Sequence, residues 1–392
     1  MNVFRQFWSV SALNLRSLPG RLDAALVALI GFAGVVAVLV GVLSIRAGFQ
    51  ATLSGTGQQN VAIVLRGGAS TEINSVLLHN DVLAIDSAPG IAAAVEGPLT
   101  SPELLVLINR AKRGSDVEAN VPFRGVTANA FQVHPRVHIV AGRMFKPGLN
   151  EVIVGQAAAE EFSGLQRGST FKSGRYTWRV VGIMAGGGMH ESEIWTDLSA
   201  LQQAYRRGNS VESVYVKLNS PADFDRFKAA VSHDPRLNVS VKRETEYYAE
   251  QSQALTQLIG VAGSIIALLM GIGAVFGAIN TMYTIVSDRS REIATLRALG
   301  FGRLAVLASV LLEGAVLGLA GGALGGLAAY LAFNGFQAST VNQFSQVVFE
   351  FAVTPALIGA GVVYALIMGF VGGLLPAIRA ARMPVATAIR EL

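Results

Sequence analysis

The sequence predicts an α-helical membrane protein with four transmembrane helices and an α+β two-lobed extracytoplasmic domain between helices 1 and 2. Hydrophobic residues make up 52% of the 392 residues. The mean hydropathy of +0.47 is too high for a soluble globule of this length. Four long apolar stretches occur, one near the start and three near the end. Between the first and the second, short apolar runs alternate with polar residues, as in a water-soluble domain.

The four spans are assigned from apolar length, because about 20 residues cross the hydrocarbon core. The first is expected to be an uncleaved anchor, since its apolar run is too long for a signal peptide and no small-residue cleavage site follows it. The fourth opens with Thr354 and Pro355, an N-cap followed by Pro at the first helical position. The predicted spans are 22–46, 254–286, 304–334 and 354–376.

Arginine placement predicts the orientation of the spans. Arginines precede the first span, occupy 287–303 and follow the fourth span, whereas 335–353 contains no Lys or Arg. Positive residues concentrate on cytoplasmic loops, so both termini and 287–303 are expected inside and the large domain outside. The arginines are Arg5, Arg16, Arg21, Arg289, Arg291, Arg297, Arg303, Arg379, Arg382 and Arg390.

The spans define the remaining segments. Apolar residues of 1–21 share one helical face, which predicts a cytoplasmic interfacial helix, with a disordered tail as the alternative. The extracytoplasmic core domain with its stalk is predicted at 47–253, a cytoplasmic helix at 287–303, a short external loop at 335–353 and a cytoplasmic tail at 377–392. No Pro interrupts Thr245 to Val286. We therefore expect one long helix that extends beyond the membrane, with a break near Gly260 as the alternative.

Alternating hydrophobicity predicts six strands in the large domain, and helical periodicity predicts four helices. Together they indicate an α+β domain of two lobes. The predicted strands are 61–66, 104–109, 151–155, 176–184, 211–218 and 237–242, and the predicted helices are 75–87, 156–162, 198–207 and 222–231.

Charge and cysteine content exclude several functions. The segment 47–253 contains 20 Lys and Arg and 20 Asp and Glu, so the net charge of +5 comes from residues flanking the spans. That distribution reflects the orientation of the spans in the membrane, and it argues against a nucleic acid partner. With no Cys in the chain, neither disulfides nor thiolate metal sites can form.

The sequence shows no catalytic constellation, so we expect a non-enzyme with no catalytic, cofactor-binding or metal-binding residues. No Gly-x-x-x-x-Gly-Lys-Ser/Thr motif is present in the 392 residues. His134 and His138 have metal-like spacing, but Pro135 lies between them and no acidic partner is near in sequence, so we expect solvated loop histidines. The stretch Met189-His190-Glu191 follows three glycines and is expected to be a mobile turn.

Two features of the spans concern helix contacts. Gly314, Gly318, Gly322 and Gly326 recur every four residues, which predicts close backbone packing against a helix of this chain or of another copy. Apart from Asp23 at the start of the first span, Glu313 is the one acidic residue inside a predicted span. Either it is an intramembrane polar contact, or it lies near the inner interface and extends to water.

Two stretches resemble FtsX-like (MacB-like) ABC transporter permeases. The first is Arg-Glu-Ile-Ala-Thr-Leu-Arg-Ala-Leu-Gly at 291–300, and the second is the closing stretch at 375–391, which begins Leu-Pro-Ala-Ile-Arg. Within the large domain, Arg-Gly-Val-Thr at 124–127, Glu-Val-Ile-Val-Gly at 151–155 and Trp-Arg-Val-Val-Gly-Ile at 178–183 resemble the periplasmic core domain of that family. Gly-Arg-Met-Phe at 142–145 does so as well.

The resemblance implies a dimeric permease of a bacterial inner (cytoplasmic) membrane that works by mechanotransmission, in which the 287–303 coupling helix contacts an ABC ATPase subunit. ATP and Mg²⁺ would bind that ATPase, which is expected on a partner chain. Further implied partners are a second permease copy (identical or a close paralogue), membrane lipids and a periplasmic adaptor. An FtsX-like signalling protein that activates cell-wall hydrolases is the alternative to a transport subunit. The implied ATPase-coupling residues are Arg289, Arg291, Glu292, Ile293, Leu296, Arg297 and Gly300.

Overall fold

The computed structural model describes residues 22–94, 97–115, 117–186, 188–342 and 345–383. Two compact units divide the chain. Among the described residues, the helical unit comprises 22–48, 257–336 and 351–383, and the α+β unit lies within 49–256 and 337–350. The predicted interfacial helix at 1–21 and most of the predicted tail at 377–392 lie outside the described residues.

The described residues form helices and strands with the following bounds. The helices are α1 (Leu22–Thr56), α2 (His79–Asp86), α3 (Ala130–Val133), α4 (Gln156–Glu161), α5 (Leu198–Tyr205), α6 (Phe224–Ser232), α7 (Glu244–Asp288), α8 (Ser290–Ala298), α9 (Arg303–Phe333) and α10 (Pro355–Arg382). The strands are β1 (Val61–Arg66), β2 (Ala93–Ala94), β3 (Gly97–Pro98), β4 (Thr100–Ala111), β5 (Glu118–Val126), β6 (His138–Gly142), β7 (Glu151–Gly155), β8 (Thr170–Ser173), β9 (Tyr176–Ala185), β10 (Ile194–Asp197), β11 (Ser213–Lys217), β12 (Val239–Arg243), β13 (Gln337–Asn342) and β14 (Ser345–Glu350).

The α+β unit is built on one ten-stranded sheet, ordered β12-β1-β11-β4-β5-β10-β7-β9-β6, with β8 beside β9. Strand β4 joins its two halves, because Ser101 and Glu103 pair with β11 whereas residues from Leu104 onward pair with β5. Each half has its own apolar core. Val64, Ile85 and Phe227 belong to one, and Phe123 and Trp178 belong to the other. The predicted α+β class is confirmed, and both lobes share a single sheet.

Strand β5 is the largest element that the sequence pattern missed. Pro122 interrupts its apolar run and argues against a central strand, because Pro donates no hydrogen bond to a sheet. The structure accommodates Pro122 opposite Leu107 of β4, and β10 pairs with β5 only from Phe123 onward. Pro122 therefore lies outside the second pairing.

The connection predicted as a short loop at 335–353 contains the β13–β14 hairpin, which belongs to the α+β unit. Val347, Val348 and Phe349 are buried. The backbone N–H of Val348 donates to Oγ of Ser192 (3.0 Å), and Oγ of Ser339 bridges Lys112 and Glu161 at 2.8 Å each.

In the helical unit, α1, α7, α9 and α10 are long and apolar enough to cross a membrane. The glycine stripe of α9 packs against α10 of the same chain. A Cβ atom placed on Gly318 would lie 2.5 Å from the carbonyl oxygen of Ala365, and one placed on Gly314 would lie 2.5 Å from that of Gly369. Gly322 and Gly326 continue the contact against Val362 and Ile358.

Two helix ends differ from the sequence prediction. Helix α1 continues ten residues beyond 46, to Thr56. Helix α10 passes through Pro376 and ends at Arg382. Pro376 removes only the hydrogen bond to the carbonyl of Gly372, and the helix stays packed because Gly372 and Gly373 before it and Ala377 and Ala380 after it are buried.

Candidate functional site

The α+β unit contains a buried charged cluster centred on Arg124 of β5. Arg124 is fully buried and donates all five of its N–H groups, so none is left without an acceptor. Glu193 and Glu72 each accept two of them, at 2.7–3.2 Å, and Glu103 accepts the fifth at 2.9 Å. All three carboxylates are at most 3% exposed. Removing Arg124 would leave three buried carboxylates without their guanidinium, and removing one carboxylate would leave N–H groups of Arg124 without an acceptor.

Backbone pairing places these side chains where the two halves of the sheet meet. Arg124 lies opposite Leu105 of β4 and Trp195 of β10. Glu103 lies on β4 at the change of partner from β11 to β5. Glu193 directly precedes β10, and Glu72 opens the short 3-10 helix Glu72–Asn74.

Two buried histidines extend the cluster. Nε2 of His134 lies 3.3 Å from Oε1 of Glu103, and Nδ1 of His190 lies 3.1 Å from Oε2 of Glu193. Nδ1 of His134 faces Oε1 of Glu244, the first residue of α7, at 3.4 Å but without hydrogen-bond geometry. The other oxygen of Glu244 accepts the backbone N–H of Gln58 at 2.8 Å.

The cluster shifts the pKa values of its members. Burial by itself lowers the pKa of His134, but contacts with Glu103 and Glu244 raise it to about 10. Burial by itself raises the pKa of the Glu193 carboxyl, but Arg124 and His190 bring it well below its usual range. The pKa of Arg124 is raised well above its usual value, because Glu193 and Glu72 outweigh the effect of burial.

Aromatic side chains enclose the cluster. Tyr215, Tyr247 and Tyr248 are buried, and burial raises the pKa of each hydroxyl well above its usual value, so all three are neutral. The hydroxyls of Tyr215 and Tyr248 lie 3.3 Å apart. Nε1 of Trp195 donates to Glu193 at 2.7 Å. The enclosure keeps water out and so strengthens every charge interaction inside.

The expectation of solvated histidines is wrong for His134, which is 2% exposed, and the expected mobile turn around His190 contains an equally buried imidazole. His138 is exposed, as expected. The sequence did not reveal the acidic partners of His134, because Glu103 and Glu244 lie 31 and 110 positions away from it in the chain. One signal was available: Glu103 and Arg124 are isolated charges in apolar strands, a pattern typical of buried ion pairs.

In the helical unit, some of the predicted coupling residues make contacts within the chain. Arg289 is nearly buried, and its guanidinium contacts Glu292 at 3.0 Å and Glu313 at 3.4 Å. Glu313 is 3% exposed. It therefore makes a buried polar contact within the chain, and its side chain does not extend to water.

The other predicted residues of α8 divide between two faces. Nη1 of Arg297 donates to the carbonyls of Ala381 (3.1 Å) and Met383 (2.6 Å), beside the end of α10. Ile293 is buried and Leu296 is partly buried. Arg291, Glu292 and Gly300 are exposed, as is Leu299 at 73%. Gly300 has φ +92°, a left-handed conformation that ends the helix at low cost.

Comparison with known proteins shows the family. The MacB-like periplasmic core domain matches residues 25–233, more than half of the chain, and the FtsX-like permease C-terminal domain matches residues 264–385. The chain belongs to the FtsX-like and MacB-like ABC transporter permeases. It is thus a membrane protein of a family whose permease subunits are generally non-catalytic.

Individual relatives are distant in sequence. The chain is 24% identical over 411 aligned residues to the macrolide export ATP-binding/permease protein MacB 1/2 of Paracoccus denitrificans, covering 98% of this chain and 57% of that protein. It is 34% identical over 164 residues to the uncharacterized ABC transporter permease YvrN of Bacillus subtilis, covering 39% of this chain and 38% of that protein. The chain spans about half the length of the MacB relatives it matches.

Solved structures are similar at lower identity. The crystal structure of the periplasmic region of MacB from Actinobacillus actinomycetemcomitans matches with a TM-score of 0.36 and 14% identity, over 53% of this chain and 94% of that chain. The extracellular domain of YknZ from Gram-positive bacteria matches with the same TM-score and identity, over 47% of this chain and 100% of that one.

Proposed function

We propose that this chain is the permease (transmembrane) subunit of an ABC transporter, in which a separate ATPase subunit hydrolyses ATP and thereby moves the extracytoplasmic domain, for export or extraction of a substrate. Family membership supports the transporter class. The MacB relatives are named ATP-binding/permease proteins, which supports an ATPase partner. ATP and Mg²⁺ bind that partner, and this chain serves as a non-catalytic subunit.

The observation that carries the proposal is the build of α8. Its inner face is fastened by two polar contacts, from Arg289 to Glu313 and from Arg297 to the carbonyls beside α10. Its outer face presents Arg291, Glu292 and Leu299. Because α8 is held by these contacts, a force that the ATPase applies to it is passed on to α9 and α10. Coupling of ATP hydrolysis to movement of the permease requires such a transfer.

The proposed topology places both termini and α8 in the cytoplasm of a bacterial cell and the α+β unit outside the inner membrane, because most arginines that flank the spans lie on one side. Helix α7 has 45 residues, about twice the number that a bilayer core needs. One helix of that length supports mechanotransmission, since a rigid rod carries movement along its axis. A second permease copy and a periplasmic adaptor complete the proposed assembly.

Charge reversal on α8 tests the coupling. The variant R291E/E292R, reconstituted in lipid nanodiscs with its ATPase, is expected to lose most of the permease-dependent ATPase stimulation, about tenfold, because two exposed contact charges then face like charges on the partner. The single variant R291E leaves the contact between Glu292 and Arg289 intact. Its loss of ATPase stimulation, expressed as a free energy, should be about half of that of the double variant.

The matched control is D225R/R226E, which reverses an adjacent exposed pair on helix α6 of the α+β unit. It should keep full stimulation. If R291E/E292R couples as well as this control does, the assignment of α8 is wrong. Stimulation by added substrate separates a transporter from the FtsX-like signalling alternative, whose ATPase rate responds to a bound hydrolase instead.

A further inference from the structure

Three ligand atoms converge inside the α+β unit without hydrogen-bond partners. They are Nδ1 of His134, Nε2 of His190 and Oε1 of Glu244, and all lie within 4.8 Å of one another. Each is buried, and none makes a hydrogen bond within the described residues, although Nδ1 of His134 and Oε1 of Glu244 face each other at 3.4 Å. An unpaired buried polar atom costs about 1–3 kcal/mol, so three that face the same point call for a common occupant.

The opposite ring nitrogens prepare both histidines to bind a cation. Nε2 of His134 lies against Glu103, and Nδ1 of His190 lies against Glu193. When these nitrogens carry the protons and donate to the carboxylates, the lone pairs of the other nitrogens point into the convergence point. Carboxylates behind metal-binding histidines orient the rings and make them more basic in the same way.

Charge balance favours a divalent cation at this point. The cluster contains four buried carboxylates and one buried guanidinium. Glu72, Glu103 and Glu193 contact Arg124, whereas Glu244 faces His134. A metal ion binds only a deprotonated imidazole nitrogen, and with both imidazoles in that neutral form these residues carry a formal charge of minus three. A divalent ion reduces the charge to minus one, at the one place where the lone pairs converge.

We propose that His134, His190 and Glu244 bind a transition-metal ion of the Zn²⁺ class. Two imidazoles and a carboxylate are ligands that Zn²⁺ accepts in tetrahedral geometry, with a fourth position open to a water molecule. Tetrahedral bonds of about 2.1 Å separate ligand atoms by about 3.4 Å. That is the distance between Nδ1 of His134 and Oε1 of Glu244, and the widest separation must shorten by at most about 1.4 Å.

The position of the ligands indicates a structural role. Glu244 is the first residue of α7, His134 follows α3, and His190 lies in the 3-10 helix Gly188–Ser192. A bound ion fastens the first turn of α7 to two loops of the same unit. Because the site is enclosed, the ion holds these segments together and does not meet a substrate.

Metal binding by the full chain tests the proposal. Purified chain in detergent is stripped with chelator, dialysed against Zn²⁺ and analysed by mass spectrometry for metal content, with one Zn²⁺ per chain expected. Co²⁺ replaces Zn²⁺ as a spectroscopic probe and should give the visible absorption of a tetrahedral N/O site. Since the chain has no Cys, thiolates cannot contribute to that spectrum.

The variants E244Q and H190A should each weaken Zn²⁺ binding at least tenfold. E244Q keeps an oxygen that can accept the N–H of Gln58, so it tests the ligand with little change of fold. Control variants H138A and H233A alter exposed histidines and should bind as tightly as the original chain. The proposal is overturned if the unmodified chain binds no Zn²⁺ at micromolar concentration. Loss on H138A but not on E244Q overturns it as well.

Discussion

The helical unit and the α+β unit achieve close packing with opposite kinds of residue. Helices α9 and α10 meet through glycines such as Gly318 and Gly369, where backbone atoms touch. The core of the α+β unit is filled instead by its largest side chains, with Trp178, Trp195 and Tyr215 fully buried. In lipid, burying apolar side chains between helices gains little, so close contact must supply the stability. In water, large apolar surfaces are themselves the driving force.

The two units also differ in how they bury charge. The helical unit buries a pair, Arg289 with Glu313, at 3.4 Å. The α+β unit gathers several carboxylates around Arg124 and encloses them with aromatic rings. The stability of the larger cluster depends most on Arg124, because three carboxylates share its one guanidinium. The comparison therefore predicts the greatest sensitivity at Arg124.

Arg124→Met is expected to cause the largest loss of stability. It leaves Glu72, Glu103 and Glu193 without their counter-ion, which costs about 3–5 kcal/mol for a buried pair. Thermal unfolding of the full chain in detergent measures the change, and limited proteolysis should cut the α+β unit first. R124K keeps the charge but not five donors and should fall between R124M and the original chain.

The matched control is R226M, which removes an exposed guanidinium from α6 and should change stability by less than about 0.5 kcal/mol. Equal stability of R124M and R226M would show that the cluster does not hold the unit together.

Glu212→Gln is expected to stabilise the α+β unit at high pH. Burial raises the pKa of the Glu212 carboxyl to about 7, although the N–H of Leu105 and the charge of Arg207 oppose the shift. The unfolded chain loses this proton near pH 4.5. The folded protein therefore holds more protons between pH 4.5 and 7, and this carboxyl lowers stability as pH rises through that window. Gln removes the penalty, about 2–3 kcal/mol at pH 8.

The measurement is the melting temperature of E212Q and the original chain at pH 5 and pH 8, with E160Q, on exposed Glu160, as the control. The gain should be large at pH 8 and small at pH 5. A gain of the same size at both pH values would refute the role of the carboxyl charge.

Gly318→Ala tests the packing of the helical unit and has the smallest expected effect. The added methyl would lie 2.5 Å from the carbonyl oxygen of Ala365, so α9 and α10 must separate, at a cost of about 1–3 kcal/mol. G277A is the matched control, because a Cβ there meets nothing within 4 Å. Ala favours helix over Gly, so G277A should be neutral or stabilising. If G318A melts at the temperature of G277A, the glycine contact contributes nothing to stability.

Much of the fold followed from local patterns. Strands β1 and β7 have the predicted bounds, 61–66 and 151–155, because their apolar runs end at polar or glycine-rich residues. Strand β5 and the β13–β14 hairpin were missed. Pro122 argued against a strand at β5. The β13–β14 hairpin is stabilised by contacts with distant residues, among them Ser192 and Lys112. Such contacts leave no local trace in a sequence.

The candidate sites divide in the same way. The coupling residues on α8 were identifiable, because a charged helix between two apolar stretches stands out locally. The cluster around Arg124 was not, because its members come from six separate segments of the chain. Isolated charges inside apolar strands indicate burial but do not name the partner.

The sequence by itself determined which segments are apolar enough to cross a membrane, that an α+β domain lies between the first two, and which family the motifs resemble. These follow from composition and short-range periodicity, properties that neighbouring residues carry together. Only the tertiary structure decided that the glycines of α9 face α10 of the same chain, and that His134, His190 and Glu244 converge. Both depend on packing between segments that are distant in sequence, which brings their atoms within a few ångströms and so determines their charges and their possible ligands.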